Sequence, residues 1–551
     1  MTSPTANKWI WRIARPDVGR IVLLSVLTGA SSAAAVVFAL LTRQVVDIAV
    51  GDAQGNLWVY IGWLFGVLLM QIAIEVFNSQ FNTRIAGRME MRIKERVFTA
   101  LFRKQWVDVS RFHSGELLNR LNADGHIVVT GVVGFVPKLV SLVTRLIACL
   151  TVLVILDGRF TAIMLGFGLL LLICSRAYGK RVKRLHKECQ ESDGKTKSFA
   201  QEALENWMMI QAFDGGDVVC GRLGERLMAH FTNLIRRNRW STASHGVMHL
   251  LFSGSYYAAL AWGAVRLMAG AISYGTLTAF LQIVGQIRQP FMSMSGLMPQ
   301  YYNMLASAER LIELEDLSDE PRVAATIQEP WGKSLQALEI VDIHFAYEAD
   351  HPVLTGASLT VRRGEFVALS GFSGIGKSTL FKLMLGFYVP QFGTLTAVTA
   401  GGRYTLGAST RGLFAYVPQQ SVLLSGTIRE NIAFCCPDAT EEMIWAAAET
   451  AAIADVICAL PGGLDTPLGE RGAGLSEGQI QRLAIARAVL YDAPILLLDE
   501  ATASLDEATE ELVLRNLRAL TDKTCLCISH RPAALQVCDR VIHVEDGKLI
   551  E

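Results

Sequence analysis

The sequence has no surplus of charge of either sign: 51 Lys and Arg stand against 51 Asp and Glu in 551 residues. Without a basic excess there is no general attraction for polyanions, so nothing points to nucleic acid as a partner. Charge of any kind is scarce, at 19% of residues, while 51% are hydrophobic. A water-soluble chain of this length carries more charge. The apolar surplus sits in roughly the first 310 positions, which reads as a membrane protein with a water-soluble end. Metal-like cysteine spacing is also missing. Of ten cysteines, Cys149 and Cys174 lie in apolar runs, and Cys525 and Cys527 alternate in a predicted strand and share a face. They read as reduced, buried thiols, with a redox or metal role for the last two as the alternative. A cleavable leader is not expected, because Lys8, Arg12, Arg15 and Arg20 precede a long apolar run without a small-residue cleavage pattern.

What is present begins with apolar runs. Trp9 to Arg15 is short, basic and aromatic, as suits a helix at a membrane surface. Ile21 to Thr42 carries no charge and would reach about 33 Å as a helix, enough to cross a bilayer. Five further spans are predicted near 57–80, 133–156, 160–179, 243–265 and 267–289. The stretches 81–130 and 176–242 are long and rich in Lys and Arg, so both, with the N-terminus and the C-terminal half, are expected in the cytoplasm. Their helical periodicity predicts that the membrane helices continue well beyond the bilayer. Arg145 falls in mid-span, where a charge costs about 2.5–3.5 kcal/mol on insertion scales. Arg145, Gln282 and Gln286 are therefore candidates for a substrate path, with internal hydrogen bonding as the plainer reading. An internal ion pair or an interhelical hydrogen bond is expected for Glu75. Residues 312–336, acidic and polar with Pro321 and Pro330, read as a linker.

The remainder alternates apolar strands with helices, as in an α/β domain with a largely parallel sheet. Gly371-Phe372-Ser373-Gly374-Ile375-Gly376-Lys377-Ser378-Thr379 follows the strand Phe366–Leu369 and opens a helix. This is the setting of a phosphate-binding loop. Its glycines let the backbone wrap a polyphosphate, Lys377 adds a full charge, and Ser378 can ligand Mg²⁺. Ile495–Asp499 is a buried strand ending in carboxylates: Asp499 suits Mg²⁺ and Glu500 suits a general base for a water aimed at the terminal phosphate. Gln419 follows another strand, placed to reach the metal. His530 ends Thr524–Ile528 and can contact the same phosphate, and Tyr347 can stack on a base. Leu475-Ser476-Glu477-Gly478-Gln479 is a polar turn opening a helix, a second anion-binding surface that makes sense if it closes over nucleotide held by another copy.

On these motifs the chain resembles the ATP-binding cassette transporters, in the half-size exporter form. The resemblance implies a multidomain membrane protein. An all-α six-helix transmembrane domain (1–311) and the linker (312–336) would precede an α/β P-loop NTPase domain (337–551). It implies ATP and Mg²⁺ as ligands, with Tyr347 on adenine, 371–379 as the Walker A loop and Gln419 as the glutamine loop. Leu475–Gln479 would be the signature acting in trans, with Glu477 where glycine is commonest. Asp499 would serve Walker B, Glu500 the catalytic base, Ser504-Leu505-Asp506 the D-loop and His530 the switch histidine. Coupling helices would fall near His113–Asn122 and Met209–Asp214, facing Thr466–Gly472. Members usually continue past the equivalent of Glu551 through a further helix. The implied function is ATP-driven export of a small molecule, lipid or peptide by a homodimer or heterodimer in a bilayer, most simply a bacterial inner membrane. An importer of metal chelates and an ATP-gated channel or regulator are the alternatives.

Overall fold

The structure is a computed structural model that describes residues 4–321, 334–348, 350–420, 423–469, 472–520 and 522–551. Side chains of 163–180, 182, 183, 244, 245, 248, 289, 291, 292 and 294–296 lie outside the described set. So do 322–333 of the expected linker, and Glu470 and Arg471 of the Thr466–Gly472 segment. The chain divides into two compact units, Met1–Ala100 with Ser114–Asp316, and Leu101–His113 with Leu317–Glu551.

The first unit is helical: α1 (Pro4–Ala14), α2 (Val18–Val50), α3 (Leu57–Leu101), α5 (Ser114–Asn119), α6 (Gly125–Leu156), α7 (Gly158–Glu205), α8 (Trp207–Ala212), α9 (Gly216–Met268) and α10 (Tyr274–Glu315); α4 (Trp106–Val109) belongs to the second unit. The 45 residues of α3 run about 68 Å, over twice the hydrocarbon thickness, so the helix extends into water. Among the described residues, Pro4–Val50, Leu57–Leu101 and Ser114–Leu156 are long and apolar enough to cross a membrane. The last predicted span starts late: α9 runs to Met268, Gly270 turns at φ 66°, and Ser273 caps α10 at Tyr274. Periodicity does not mark this break because the turn Ala269–Ser273 is itself mostly apolar and small.

Small residues let these helices approach. Ser25, Gly29, Ser32, Val36 and Ala39 form the buried stripe of α2. A Cβ at Gly29 would sit 3.3 Å from Thr144 Oγ1, and the hydroxyls of Ser32 and Ser141 lie 2.6 Å apart. Toward the long helical extensions, carboxylates hold the bundle. Buried Asp17 pairs with Arg20 and Arg92. Buried Asp124 accepts from Ser307 Oγ (2.9 Å) and Arg310 Nε (2.8 Å). Glu315 accepts from Trp9 (2.9 Å) and Arg96 (2.8 Å). Glu75 is exposed on α3, and among the described residues neither the expected ion pair nor the hydrogen bond is formed; its neighbours one turn away, Gln71 and Asn78, bond to Ser31 and Thr28 of α2 instead.

Among the described residues the second unit holds two larger sheets and a two-stranded one. β1 (Leu335–Glu348), β2 (His351–Arg362), β4 (Phe392–Thr399) and β5 (Gly402–Thr405) are antiparallel, in the order β2-β1-β4-β5. The larger sheet runs β12-β11-β3-β10-β9-β6. Its strands are β3 (Phe366–Ser370), β6 (Phe414–Val417), β9 (Ile495–Asp499), β10 (Thr524–Ile528), β11 (Arg540–Glu545) and β12 (Lys548–Ile550). All neighbours are parallel except β11 and β12. The parallel part was expected. The antiparallel sheet was not, since strands bound for different sheets look alike in sequence. β9 and β10 bury every residue, as central parallel strands covered on both faces do. A short pair, β7 (Gly426–Thr427) and β8 (Pro467–Leu468), joins two loops. The helices are α11 (Lys377–Met384), α12 (Ile428–Ile432), α13 (Glu441–Thr450), α14 (Ala454–Ala459), α15 (Glu477–Leu490), α16 (Glu507–Arg518) and α17 (Pro532–Val537).

Leu101–His113 packs within this unit. Gln105 N–H donates to Ser318 O at 2.9 Å, Lys104 Nζ to Asp319 Oδ1 at 2.7 Å, and the Trp106 and Phe387 rings lie 5.8 Å apart. Arg411 lies over Phe387 at 4.6 Å and donates to Glu320 Oε2 at 3.1 Å. The docked segment thus centres on Trp106. Of His113–Asn122, where the resemblance implies the first coupling helix, only His113 belongs to this unit. Leu317–Glu320, assigned from sequence to the linker, forms part of the same contact.

Candidate active site

The strand order explains why residues far apart in sequence meet. β3, β10, β9 and β6 are parallel neighbours, and register sets Ile528 beside both Leu369 and Asp499, with Val417 beside Leu498. Their carboxyl ends therefore open on one edge, where ligands bind in open α/β sheets. Gly371–Thr379 leaves β3 there, Asp499 and Glu500 leave β9, His530 leaves β10 and Gln419 leaves β6.

The loop after β3 needs its glycines. Gly371 and Gly376 have φ of 148° and 113°, and added Cβ atoms would meet Val544 O at 2.7 Å and Val353 Cγ1 at 2.9 Å. The loop wraps Lys377, whose Nζ donates to Phe372 O at 2.9 Å and to Gly371 O, and lies 3.2 Å from His530 Nε2. Burial pushes the Lys377 ammonium down, against the pull of Glu500 and Asp499. Ser378 Oγ donates to Asp499 Oδ1 at 2.9 Å, and Tyr416 OH to Oδ2 at 3.2 Å. Burial pushes the Asp499 carboxyl up, these two hydrogen bonds pull it down, and Glu500 adds to the upward push. A hydroxyl and a carboxylate at this distance are hard oxygen donors of the kind Mg²⁺ takes. Gln419 Nε2 donates to Glu500 Oε2 at 2.8 Å. Glu500 itself sits at φ 49°, a left-handed conformation, with its N–H donating to Ile528 O at 3.1 Å. Tyr347, half exposed, places its hydroxyl 3.1 Å from Thr379 Oγ1, with Phe345 and Tyr388 edge-on beside it. Phe372, Ser373 and Gly374 form the exposed crest of the loop, and Ile375 turns back into it through its N–H to Phe372 O.

Leu475–Gln479 is built differently. Ser476 caps α15 in a reciprocal capping box: Ser476 Oγ accepts from Gln479 N–H (3.3 Å), and Gln479 Oε1 accepts from Ser476 N–H (2.9 Å). Its contacts run to Ser504-Leu505-Asp506. A Cβ at Gly478 would lie 2.8 Å from Ser504 O and 3.2 Å from Leu505 Cδ2. Buried Gln481 accepts from Ser504 N–H at 3.1 Å. Among the described residues no hydrogen bond or ion pair joins this turn to Gly371–Thr379.

Sequence reasoning missed a polar bracket between Asp506 and His530. Arg531 Nη1 donates to Leu505 O (2.7 Å), Thr502 O (3.2 Å) and Glu510 Oε2 (2.7 Å), and buried Glu510 accepts from Thr502 Oγ1 at 2.7 Å. Tyr416 and Gln481 were missed as well. The adjacency of Arg531 to His530 was the one signal available; the other missed residues meet partners 8 to 83 residues away, as with Thr502–Glu510 and Tyr416–Asp499.

In the first unit, Arg145 lines an open cleft of about 430 Å³ with Thr28, Lys138, Ser141, Leu142 and Leu297, among others. Gln282 and Gln286 are not among its lining residues; Gln286 Nε2 donates to Ala35 O at 3.0 Å, which ties α10 to α2. Of the three residues named for one path, this cleft is lined by Arg145.

Residues 21–291 match the profile of the ABC transporter transmembrane region, and 354–503 that of the ABC transporter cassette. The "ATP-dependent lipid A-core flippase" of Dechloromonas aromatica is 31% identical over 94% of this chain and 89% of its own length. That of Chromobacterium violaceum is 29% identical over 98% and 94%. "ABC transporter B family member 1" of Dictyostelium discoideum is 30% identical over 84% of this chain, which spans 51% of that protein. A solved structure, "Structure of a bacterial Atm1-family ABC exporter with ATP bound", superposes with TM-score 0.79 over 98% of this chain and 95% of its own, at 24% identity.

Proposed function

This chain belongs to the ATP-binding cassette transporters, as a half-size exporter whose cassette is an ATPase, and on that premise we propose that two copies clamp two ATP molecules between them. Lys377 and the N–H groups opening α11 hold the phosphates of one ATP, and Ser476 and Gly478 of the other copy close over it. Tyr347 stacks on the base. Ser378, Asp499 and Gln419 would hold Mg²⁺, which supplies charge neutralisation at the phosphates. Glu500 takes the proton of the attacking water, Gln419 orients Glu500, and His530 positions the terminal phosphate. Ser504-Leu505-Asp506 carries closure at one site to the other. The single observation behind this reading is the gathering of three bonded pairs, Lys377 with His530, Ser378 with Asp499 and Gln419 with Glu500, at one sheet edge.

Every motif residue of one full site lies in this single chain, which supports a homodimer. The Lys- and Arg-rich stretches 81–130 and 176–242 support a cytoplasmic cassette and N-terminus in a bacterial inner membrane. The cargo is an amphipathic, lipid-like molecule moved outward. The flippase relatives favour it over import or gating, and the cleft sets Lys138 and Arg145 beside Leu142 and Leu297. The test is the purified chain alone in proteoliposomes, with ATPase and flipping of a labelled anionic lipid measured together. Magnesium-dependent hydrolysis with outward flipping is expected. Hydrolysis only after addition of a second, different chain overturns the homodimer, and inward accumulation overturns the direction.

A further inference from the structure

Two sulfurs lie close together behind the switch histidine. Cys527 Sγ and Cys538 Sγ are 3.5 Å apart, bracketing the segment Ile528–Val537 that carries Ser529, His530 and Arg531. The sequence pairs Cys525 with Cys527, which share a face of β10 in one buried cluster; the fold gives Cys527 a different neighbour, eleven residues on. We propose that Cys527 and Cys538 form a reversible oxidation site, in which a hydroperoxide converts the two thiols to a disulfide that ties down the His530 segment.

The geometry suits that chemistry. Cys527 is buried and fixed, since β10 pairs with β3 at Ala368 and with β9 at Leu498. Cys538 is half-buried, in an extended conformation just past the end of the short helix α17. A disulfide is about 2 Å long, so the sulfurs must close by roughly 1.5 Å, and the Cys538 end is the one free of sheet pairing. The hydrogen bond from Cys527 holds the Cys538 thiol below its ordinary value, against the effect of burial and of Asp539, with Arg518 adding a smaller pull the same way. The same bond and burial raise Cys527. Cys538, half-buried, is the thiol a peroxide can reach, and buried Cys527 is the resolving thiol behind it.

The steps balance. The Cys538 thiolate attacks the peroxide oxygen, breaks the O–O bond and becomes a sulfenic acid, and the departing hydroxide takes a proton to leave as water. The Cys527 thiol then attacks the sulfenic sulfur, its proton leaving with the hydroxyl as a second water. Two thiols are oxidised and one peroxide is reduced. A dithiol reductant reverses the bond by exchange.

The ring so closed includes His530, which contacts Lys377, and Arg531, which holds Thr502, Leu505 and Glu510. Restraining it restrains both contacts. The proposal rests on the ATPase reading of His530 only for its second readout. The experiment treats the full chain in membranes with hydrogen peroxide, then dithiothreitol, and maps peptides by mass spectrometry alongside ATPase. Expected are a Cys527–Cys538 linked peptide, a several-fold loss of ATPase and recovery of both on reduction. Cys538→Ser, at a half-buried position, should keep basal activity and lose the peroxide response. Failure of the native chain to give the linked peptide while exposed Cys220 or Cys435 oxidises overturns the site, whatever the ATPase does. A linked peptide without change in ATPase overturns the restraint. So does a Cys538→Ser or Cys538→Ala variant as peroxide-sensitive as the native chain. A native chain without any ATPase defeats the functional reading and leaves the peptide map to decide this one.

Discussion

In the cassette, β9 and β10 bury every one of their residues. The 45-residue α3 buries Ile85, Met89, Ile93 and Val97 alone, one per turn near one end, while Trp58, Trp63, Phe65 and Leu69 stay exposed. The cassette closes its apolar surface on itself. The helical unit ties polar side chains together at Asp17, Asp124 and Glu315, and leaves apolar faces outward, as suits a bilayer. The difference is one of extent: the cassette has two large buried cores, while the helical unit has a smaller one around Cys149, Leu153, Phe160 and Ile283, joined by buried Asp17 and Asp124, and leaves much of α3 outward.

Substitutions at the catalytic edge probe that contrast most strongly. Glu500→Gln keeps the hydrogen bond from Gln419 but not the base, and is expected to lower ATPase by roughly 10²–10⁴-fold with nucleotide binding intact, as read by turnover against nucleotide filter binding. Transport should fall with it; transport that persists would uncouple the units. Lys377→Ala removes the charge at the centre of the loop and should weaken ATP binding by about 10- to 100-fold in equilibrium titration, leaving the helical unit's thermal unfolding unchanged.

A matched pair of variants compares the units directly. Asp124→Ala strands Arg310 and Ser307, and Glu510→Ala strands Arg531 and Thr502. Each carboxylate is buried while each arginine is about two-fifths exposed (46% and 39%). Each variant should therefore cost about 2 kcal/mol, below the roughly 3–5 kcal/mol of a fully buried pair. Differential unfolding in lipid should show Asp124→Ala lowering only the helical transition and Glu510→Ala only the cassette's. Gln481→Ala should cost about 1 kcal/mol of cassette stability, by leaving the Ser504 N–H without its acceptor.

The smallest effect concerns pH. Backbone and side-chain hydrogen bonds from Thr509 hold Asp506, the cap of α16, below its ordinary 3.8. A depressed carboxyl contributes stability above that value and loses it as pH falls through the folded one. Asp506→Ala should therefore unfold slightly earlier than the native cassette at pH 7, and the two should converge in acid below both values, by circular dichroism.

The candidate site residues could be singled out because each stands at a strand end or helix start with local punctuation: glycines around Lys377, acids after Ile495–Leu498, Ser476 three residues before Gln479. The parallel sheet was legible from unbroken apolar runs. The antiparallel sheet was not, because alternation in β1 and β2 names no partner. The docking of Trp106 on Phe387 and the Arg531 bracket are contacts between distant residues whose chemistry is ordinary until the fold joins them. Arg145, singled out by its charge in an apolar run, lines a cleft, but a glutamine's neighbours depend on helix rotation, which a one-face pattern at Gln282 and Gln286 does not fix.

Gly478 leaves no room for a methyl group against Ser504 O, and Leu505 closes the remaining side. A residue larger than glycine at position 478 therefore has to move backbone at Ser504, which a smaller side chain at Leu505 does not relieve. Gly478→Ala should thus resist rescue by changes at Leu505, and the spacing between the start of α15 and the Ser504 carbonyl sets a hard limit on what this turn can become.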